Sequence, residues 1–470
     1  MGTLTMKFGG TSVGTVAALG QVVSIVLHES ARHDNLLLAV SALEGVTDAL
    51  IEAAHLAHVS NGRGYRRIAA TLRTRHMALI DHLPLGQRER ATLQPDIDRL
   101  LMEMLDICQK ISDQASDTIA PASIDHIVGV GERIAARIVA ALLREKNLRG
   151  VAIDATDIIV TDEVFGNATP DLPFTRQKIA QHLMPMLSRN IIPVVTGFIG
   201  ATHAGKPTTL GRGGSDYTAS ILGVCSDSDE VWIWTDVDGM MSTDPREISE
   251  ARVIPEVSYE EVAELAYFGA RILHSKMIGP LREAEIPLRI KNVYKPQQAG
   301  TLIHRTTGEN SRSIKAVTSI QGIGLSARGS GPLASISQVV DETLFKTTGA
   351  HADVMISSQS SAQSFVCFVI PTNAGPDAVH SVQTALEDRL RTYRDTMEWS
   401  AHPVSVITAI GANLDDSSAL VGKVLQALTG TRILAFAQGP SHCSLSVVVE
   451  PKNSERALRQ IHGLILGDKL

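Results

Sequence analysis

Apolar and polar residues alternate over Thr3–Phe8 (TLTMKF), the period of a strand with unlike faces, and the run ends in GGTSVG. Val16, Leu19, Val22, Val23 and Val26 then recur at helical spacing, so the chain opens as strand, glycine loop, helix. Asn35–Ala42 is mostly apolar, as expected of a strand buried on both faces. From about Val46 to Asn147 the pattern is helical, broken near Asn61–Gly64, Leu83–Gly86 and Pro121. Short apolar runs return at VAID, IIPVVTGF, EVWIWTDV and IPLRIKNV. Strands alternating with helices predict an α/β sandwich around a mostly parallel sheet over residues 1–305.

After Ala299–Ile303 (AGTLI) the polar stretch HRTTGENSRS marks a domain boundary. Beyond it the pattern changes to two β-loop-α-β-β-α units, expected over residues 315–395 and 400–470, with a nested arrangement sharing the strand near 314–320 as an option. Gln359 and Gln438 occupy matching places, each followed by small polar residues and an apolar strand, which reads as an internal duplication.

Composition narrows the function classes. At 470 residues with 44% hydrophobic and 20% charged residues, the chain is of globular type and long enough for about three domains. A net charge of −7 and only 4% aromatics argue against nucleic-acid binding. Cys108, Cys225, Cys367 and Cys443 lie far apart, so neither a zinc site nor a disulfide framework is expected, and a reducing cytoplasm is the simplest location. No apolar run reaches membrane-spanning length, and Met6 stands where a myristoylation signal wants serine or threonine. His55 and His58 have ligand spacing but no third ligand nearby, so a solvated helix face is the expected reading.

Three glycine-rich loops carry the candidate chemistry. In MKFGGTS, amides freed at Gly9 and Gly10 can approach phosphate oxygens, and Lys7 can stabilise charge on a transferring phosphoryl group. The lysine precedes the glycines, so this is not a P-loop. In GRGGSD, Arg212 offers a planar fork to a carboxylate or phosphate. Asp216 there is either a helix cap or part of a site. In WTDVDGMMSTDPR a strand delivers Thr235 and Asp236 to its C-terminal end, where open α/β sheets bind ligands. Glu132, in GERIAARI, opens a predicted amphipathic helix.

The segments KFGGTSVG, VSALEGVTDAL, GERIAARI, VVTGFIG, TTLGRGGSDYTA, WTDVDGMMSTDPR, ELAYFGARILH and GTLI stand in the order and approximate spacing found in aspartate kinases. The chain resembles that family from about Lys7 to Ile303, and its doubled tail resembles the family's paired ACT domains. The resemblance implies an amino-acid-kinase-type sandwich followed by two α+β ACT-like (βαββαβ) regulatory domains. The implied reaction moves the γ-phosphoryl group of ATP, with Mg2+, to the side-chain carboxylate of L-aspartate, the first step of lysine, threonine and methionine biosynthesis. It implies catalytic roles for Lys7 and Asp216, and aspartate binding by Ser41, Thr47, Glu132, Arg212 and Ser215. Nucleotide binding falls to Lys7, Gly9, Gly10, Thr235, Asp236, Met241, Arg246 and Arg271. An effector site would draw on Asp353, Ser358, Gln359 and Ser441. The expected partners are these small molecules and a second copy through the ACT-like domains, or a tetramer, with neither nucleic acid nor membrane. No further segment follows the tail, so a fused homoserine dehydrogenase is not expected.

Some positions depart from the family pattern. Met241 replaces a common tyrosine, Arg271 a lysine and Ser275 a proline, changes that bear on nucleotide affinity. Phe365 and Ser444 replace the effector-binding asparagine and Ala419 a loop glycine, which predicts altered or weak feedback by lysine or threonine. Two other readings stand beside the leading one: a related kinase acting on another carboxylate such as acetylglutamate, and a catalytically inactive ACT-based amino-acid sensor.

Overall fold

The computed structural model describes residues 2–114, 118–269, 275–305, 313–328, 333–349, 351, 353–370, 378–392, 398–412, 414, 418–439 and 441–467. The elements begin with β1 (Thr3–Phe8), α1 (Gly10–Val13), α2 (Val16–Ser30), β2 (Asn35–Val40), α3 (Val46–His58), α4 (Gly62–His82), α5 (Gln87–Asp113), α6 (Pro121–Val128) and α7 (Val130–Glu145). They continue with β3 (Arg149–Ile153), β4 (Val160–Thr161), α8 (Leu172–His182), α9 (Met184–Leu187), β5 (Ile191–Thr196), β6 (Ile199–Thr202), β7 (Pro207–Thr209), α10 (Gly214–Cys225) and β8 (Glu230–Thr235). Next come β9 (Glu256–Ser258), α11 (Tyr259–Tyr267), α12 (Ser275–Glu283), β10 (Leu288–Asn292) and β11 (Thr301–His304). The tail adds β12 (Ile314–Arg328), α13 (Ala334–Thr348), β13 (Asp353–Gln359), β14 (Gln363–Val369), α14 (Ala378–Thr392), β15 (Trp399–Gly411), α15 (Ser418–Ala427), β16 (Ile433–Gln438), β17 (Ser444–Val449) and α16 (Ser454–Gly467).

Contacts divide the chain into two compact units, Met1–Met240 with Leu273–Arg305, and Met241–Ile272 with Thr306–Leu470. In the first, the strands run β3-β5-β2-β1-β8-β10-β11, all parallel except the β10–β11 pair. β1 lies between β2 and β8, with Lys7 opposite Ala39 and Ile233. The alternation in TLTMKF suggested one polar face, yet the strand is buried on both, because helices cover each side of a parallel sheet and its threonines find partners there. Thr5 Oγ1, for example, lies 2.8 Å from Ser228 Oγ. α7 likewise departs from the expected amphipathic helix: Val130–Arg133, Ile134–Ala136 and Ile138–Leu143 are buried, and Arg133 reaches Asp154 at 3.0 Å. The helical stretch from α3 to α7 breaks where the turn residues predicted.

In the second unit the sheet order is β13-β14-β12-β15-β17-β16, antiparallel throughout. The long strands β12 and β15 pair along their lengths, Ile314↔Gly411 to Ala327↔Trp399. β14 adds to the C-terminal part of β12 and β17 to the C-terminal part of β15, so each long strand serves both halves. Gln359 and Gln438 close the equivalent strands β13 and β16.

A single boundary near residue 305 does not follow these units, because Met241–Ile272 packs with the tail. Val317 N–H donates to Ser242 C=O at 2.8 Å. Ser242 Oγ lies 2.9 Å from His462 Nε2, and Ile248 joins the apolar core containing Leu458 and Ile461. Lys315 pairs with Glu261 at 2.8 Å. Such pairings join residues up to 220 apart in sequence, a separation that local patterning does not report. No described helix is long and apolar enough to cross a membrane, and all four cysteines are buried and unpaired.

Candidate active site

The carboxyl ends of β1 and β2 face the start of α10 across a cleft of about 360 Å³ in the first unit. Its lining includes Lys7, Gly10, Ser41, Thr47, Glu132, Arg212, Ser215 and Asp216, drawn from four sequence segments. Glycine is required where these segments meet. A Cβ on Gly10 would lie 2.9 Å from the carbonyl oxygen of Ala42, so no side chain fits between the β1 and β2 loops. Gly211 has φ +78°, and a Cβ there would lie 2.5 Å from Asn167 Oδ1.

Lys7 Nζ pairs with Asp216 Oδ1 at 2.5 Å. Asp216 sits in the first turn of α10, whose N-cap is Gly213 and takes no side-chain cap bond, so the aspartate serves the lysine rather than the helix end. Arg212 is exposed at the cleft, and among the described residues it takes no hydrogen-bond or ion-pair partner.

Glu132 is only 2% exposed. Its Oε1 accepts the Ala42 N–H at 3.2 Å, while Oε2 has no partner among the described residues. Burial pushes its carboxyl up to about 7, against the pull of the Ala42 and Glu132 backbone amides. A buried carboxylate oxygen without a donor is costly to keep, and a cation entering the cleft would satisfy it.

Other candidates fall elsewhere. Gly9, Thr235 and Asp236 belong to the same unit but are not among the lining residues, although Thr235 ends β8 beside β1. Met241 and Arg246 belong to the C-terminal unit, where Arg246 Nη2 pairs with Asp244 Oδ2 at 2.6 Å. Arg271 lies outside the described residues, as does the Asp353 side chain. Ser358 and Gln359 end β13, with Gln359 Nε2 donating to Ser364 Oγ at 3.1 Å, and Ser441 Oγ accepts the Cys443 N–H at 3.4 Å.

Two contributors carried no advance signal of their own. Asp125 on α6 is buried, and its Oδ2 accepts the N–H groups of Gly166 and Thr209, each at 2.8 Å. Its Oδ1 accepts the Thr209 hydroxyl at 2.9 Å, so the strand leading into GRGGSD is tied down three residues before Arg212. Burial holds the Asp125 carboxyl above its ordinary value, and these three donors offset only part of that rise. Phe198 lines the cleft too; its motif VVTGFIG was recognisable, but not its backbone geometry.

A family model described as the amino acid kinase family matches residues 3–292. Lysine-sensitive aspartokinase 3 of Escherichia coli is 28% identical over 463 residues, covering 97% of each chain. A chloroplastic bifunctional aspartokinase/homoserine dehydrogenase of Arabidopsis thaliana is 30% identical over 97% of this chain, which spans about 50% of that relative's length. The fold also matches E. coli aspartokinase III solved in complex with lysine and aspartate, with TM-score 0.79, 26% identity, and coverage of 98% of this chain and 99% of that one. With its family match running through β1, α3, α7 and α10, where the cleft is built, the chain belongs to the amino acid kinase family.

Proposed function

We propose that this chain transfers the γ-phosphoryl group of ATP to the side-chain carboxylate of L-aspartate, giving 4-phospho-L-aspartate. The observation that carries the reading is the buried Oε2 of Glu132 in one cleft with the guanidinium of Arg212, neither with a partner among the described residues. Together they suit the ammonium and carboxylate of an α-amino acid. The matching E. coli structure, solved with aspartate, supports the same acceptor.

The acceptor's side-chain carboxylate is already ionised at neutral pH. Its oxygen attacks the γ-phosphorus, the bond to the β,γ-bridging oxygen breaks, and ADP leaves with that electron pair. No general base is needed, so catalysis rests on alignment and charge stabilisation. Lys7, held by Asp216, stabilises the transferring group. Gly9 and Gly10 leave amides beside the phosphates, Ser41, Thr47 and Ser215 orient the acceptor, and Thr235 and Asp236 are assigned to the nucleotide. Met241, Arg246 and Arg271 rest on family resemblance alone. Among the described residues no cluster of three or more His, Cys, Asp or Glu side chains could hold a metal. Magnesium is assigned to the nucleotide phosphates, the hard-oxygen ligands it ordinarily takes in phosphoryl transfer.

The reading extends to the first step of lysine, threonine and methionine biosynthesis, a cytoplasmic location, a homodimer through the ACT-like halves, and an amino-acid effector near Ser358, Gln359 and Ser441 with a weak response. Incubation with ATP, magnesium and hydroxylamine tests the core of it: hydroxamate should form with aspartate and not with glutamate or acetylglutamate. Product only with acetylglutamate, or with none of the three, would overturn the assignment. In the same assay Lys7→Ala should lose turnover by about a thousandfold or more while staying folded.

A further inference from the structure

Phe198 holds a backbone conformation that a bulky residue rarely adopts. Its φ is +69°, and the other described non-glycine residues with positive φ are Ser60, Asn147, Asn190, Asp227, Glu285 and His442, all polar. Glycine would take this geometry without strain, so the ring is retained against a local cost.

The surroundings fix it in place. Phe198 N–H donates to Thr218 Oγ1 at 2.9 Å, and that hydroxyl donates to Gly214 C=O at 3.0 Å. Phe198 C=O accepts the Leu210 N–H at 2.8 Å. The ring lies over the first residue of α10, since a Cβ on Gly214 would come within 2.6 Å of Phe198 Cδ2. It thereby forms an apolar wall of the cleft beside Arg212 and Ser215.

A phenyl wall offers no hydrogen bond to a carboxylate. On the reading of the cleft as an acceptor site, Arg212 and the Lys7 side would take the acceptor's two carboxylates and its methylene would lie against the ring. We propose that Phe198 is the length gauge of the acceptor pocket, its left-handed backbone seating the ring on Gly214 so that a four-carbon amino dicarboxylate fits and a five-carbon one is refused. This rests on the reading of the cleft as an amino-acid acceptor site.

The test compares kcat/KM for L-aspartate and L-glutamate in wild type, Phe198→Gly and Phe198→Leu, with folding followed by Tm. Glycine suits the backbone, so Phe198→Gly should stay folded and narrow the aspartate preference by about 10- to 200-fold, the usual worth of one methylene in an apolar pocket. Phe198→Leu, with a shorter side chain, should narrow it less, and carries the comparison should the glycine variant fold poorly. The KM for ATP should hold in both. An unchanged ratio, with both acceptors losing activity together, would overturn the gauge and leave the ring a structural role. Absence of aspartate turnover in the wild type would instead overturn the functional reading beneath it.

Discussion

Burial holds the Glu132 carboxyl near 7, so an incoming ammonium group has to displace a proton before the two can pair. The KM for aspartate should therefore rise about tenfold per pH unit below 7 and level off above it, which initial rates from pH 5.5 to 8.5 would reveal. The substrate's own carboxyl groups titrate below that window. A flat profile would remove Glu132 from ammonium binding. Stability carries the opposite sign. With a folded-state value above the ordinary 4.5, the ionised form is disfavoured in the fold. The wild type should thus lose up to about 3 kcal/mol relative to Glu132→Gln as pH climbs from about 4.5 to about 7, with no further change above, as Tm against pH would show. Arg212 has no such internal conflict. Arg212→Ala should raise the KM for aspartate about a hundredfold while moving that for ATP less than about threefold. The reverse pattern would place Arg212 on the phosphates.

At the level of elements, the cleft depends on how α6 holds β7. Asp125→Ala strips the acceptor from three donors on Gly166 and Thr209, a loss of about 3 kcal/mol in denaturant unfolding. Because Thr209 leads into Arg212, the same variant should raise the KM for aspartate about tenfold even though Asp125 is not among the lining residues. Asp125→Asn, which keeps one acceptor oxygen, should fall between. None of this was legible in the sequence, where Asp125 stands 84 residues from Thr209 in an ordinary helical run. Lys7, Glu132, Arg212 and Asp216 were legible, since each sits in a glycine-marked or motif-bearing segment whose local chemistry is distinctive. Helix limits from α3 to α7 could be read because turn residues punctuate them. The burial of β1 and α7 on all sides could not: periodicity reports which residues are polar, and topology decides whether polar residues find partners inside.

Across the whole molecule, Met241–Ile272 joins the C-terminal unit through Ile248 in its core and the Ser242–His462 pair. A chain ended after Arg305 would retain the cleft residues but leave this segment without its core. Such a truncation should be cut by trypsin within residues 241–272, at Arg246 or Arg252, far faster than the full chain, and should expose apolar surface to a hydrophobic dye. Equal resistance would mean that the segment folds without the tail.

The shared strands of the duplicated sheet have a thermodynamic consequence. Since β12 and β15 each run through both halves, neither half can melt and leave the other's central strands intact. Amide exchange in the two halves should therefore be coupled, and a ligand that tightens the β13–β14 hairpin should slow solvent exchange at β16–β17, communicating through a common opening equilibrium without any displacement of atoms between them.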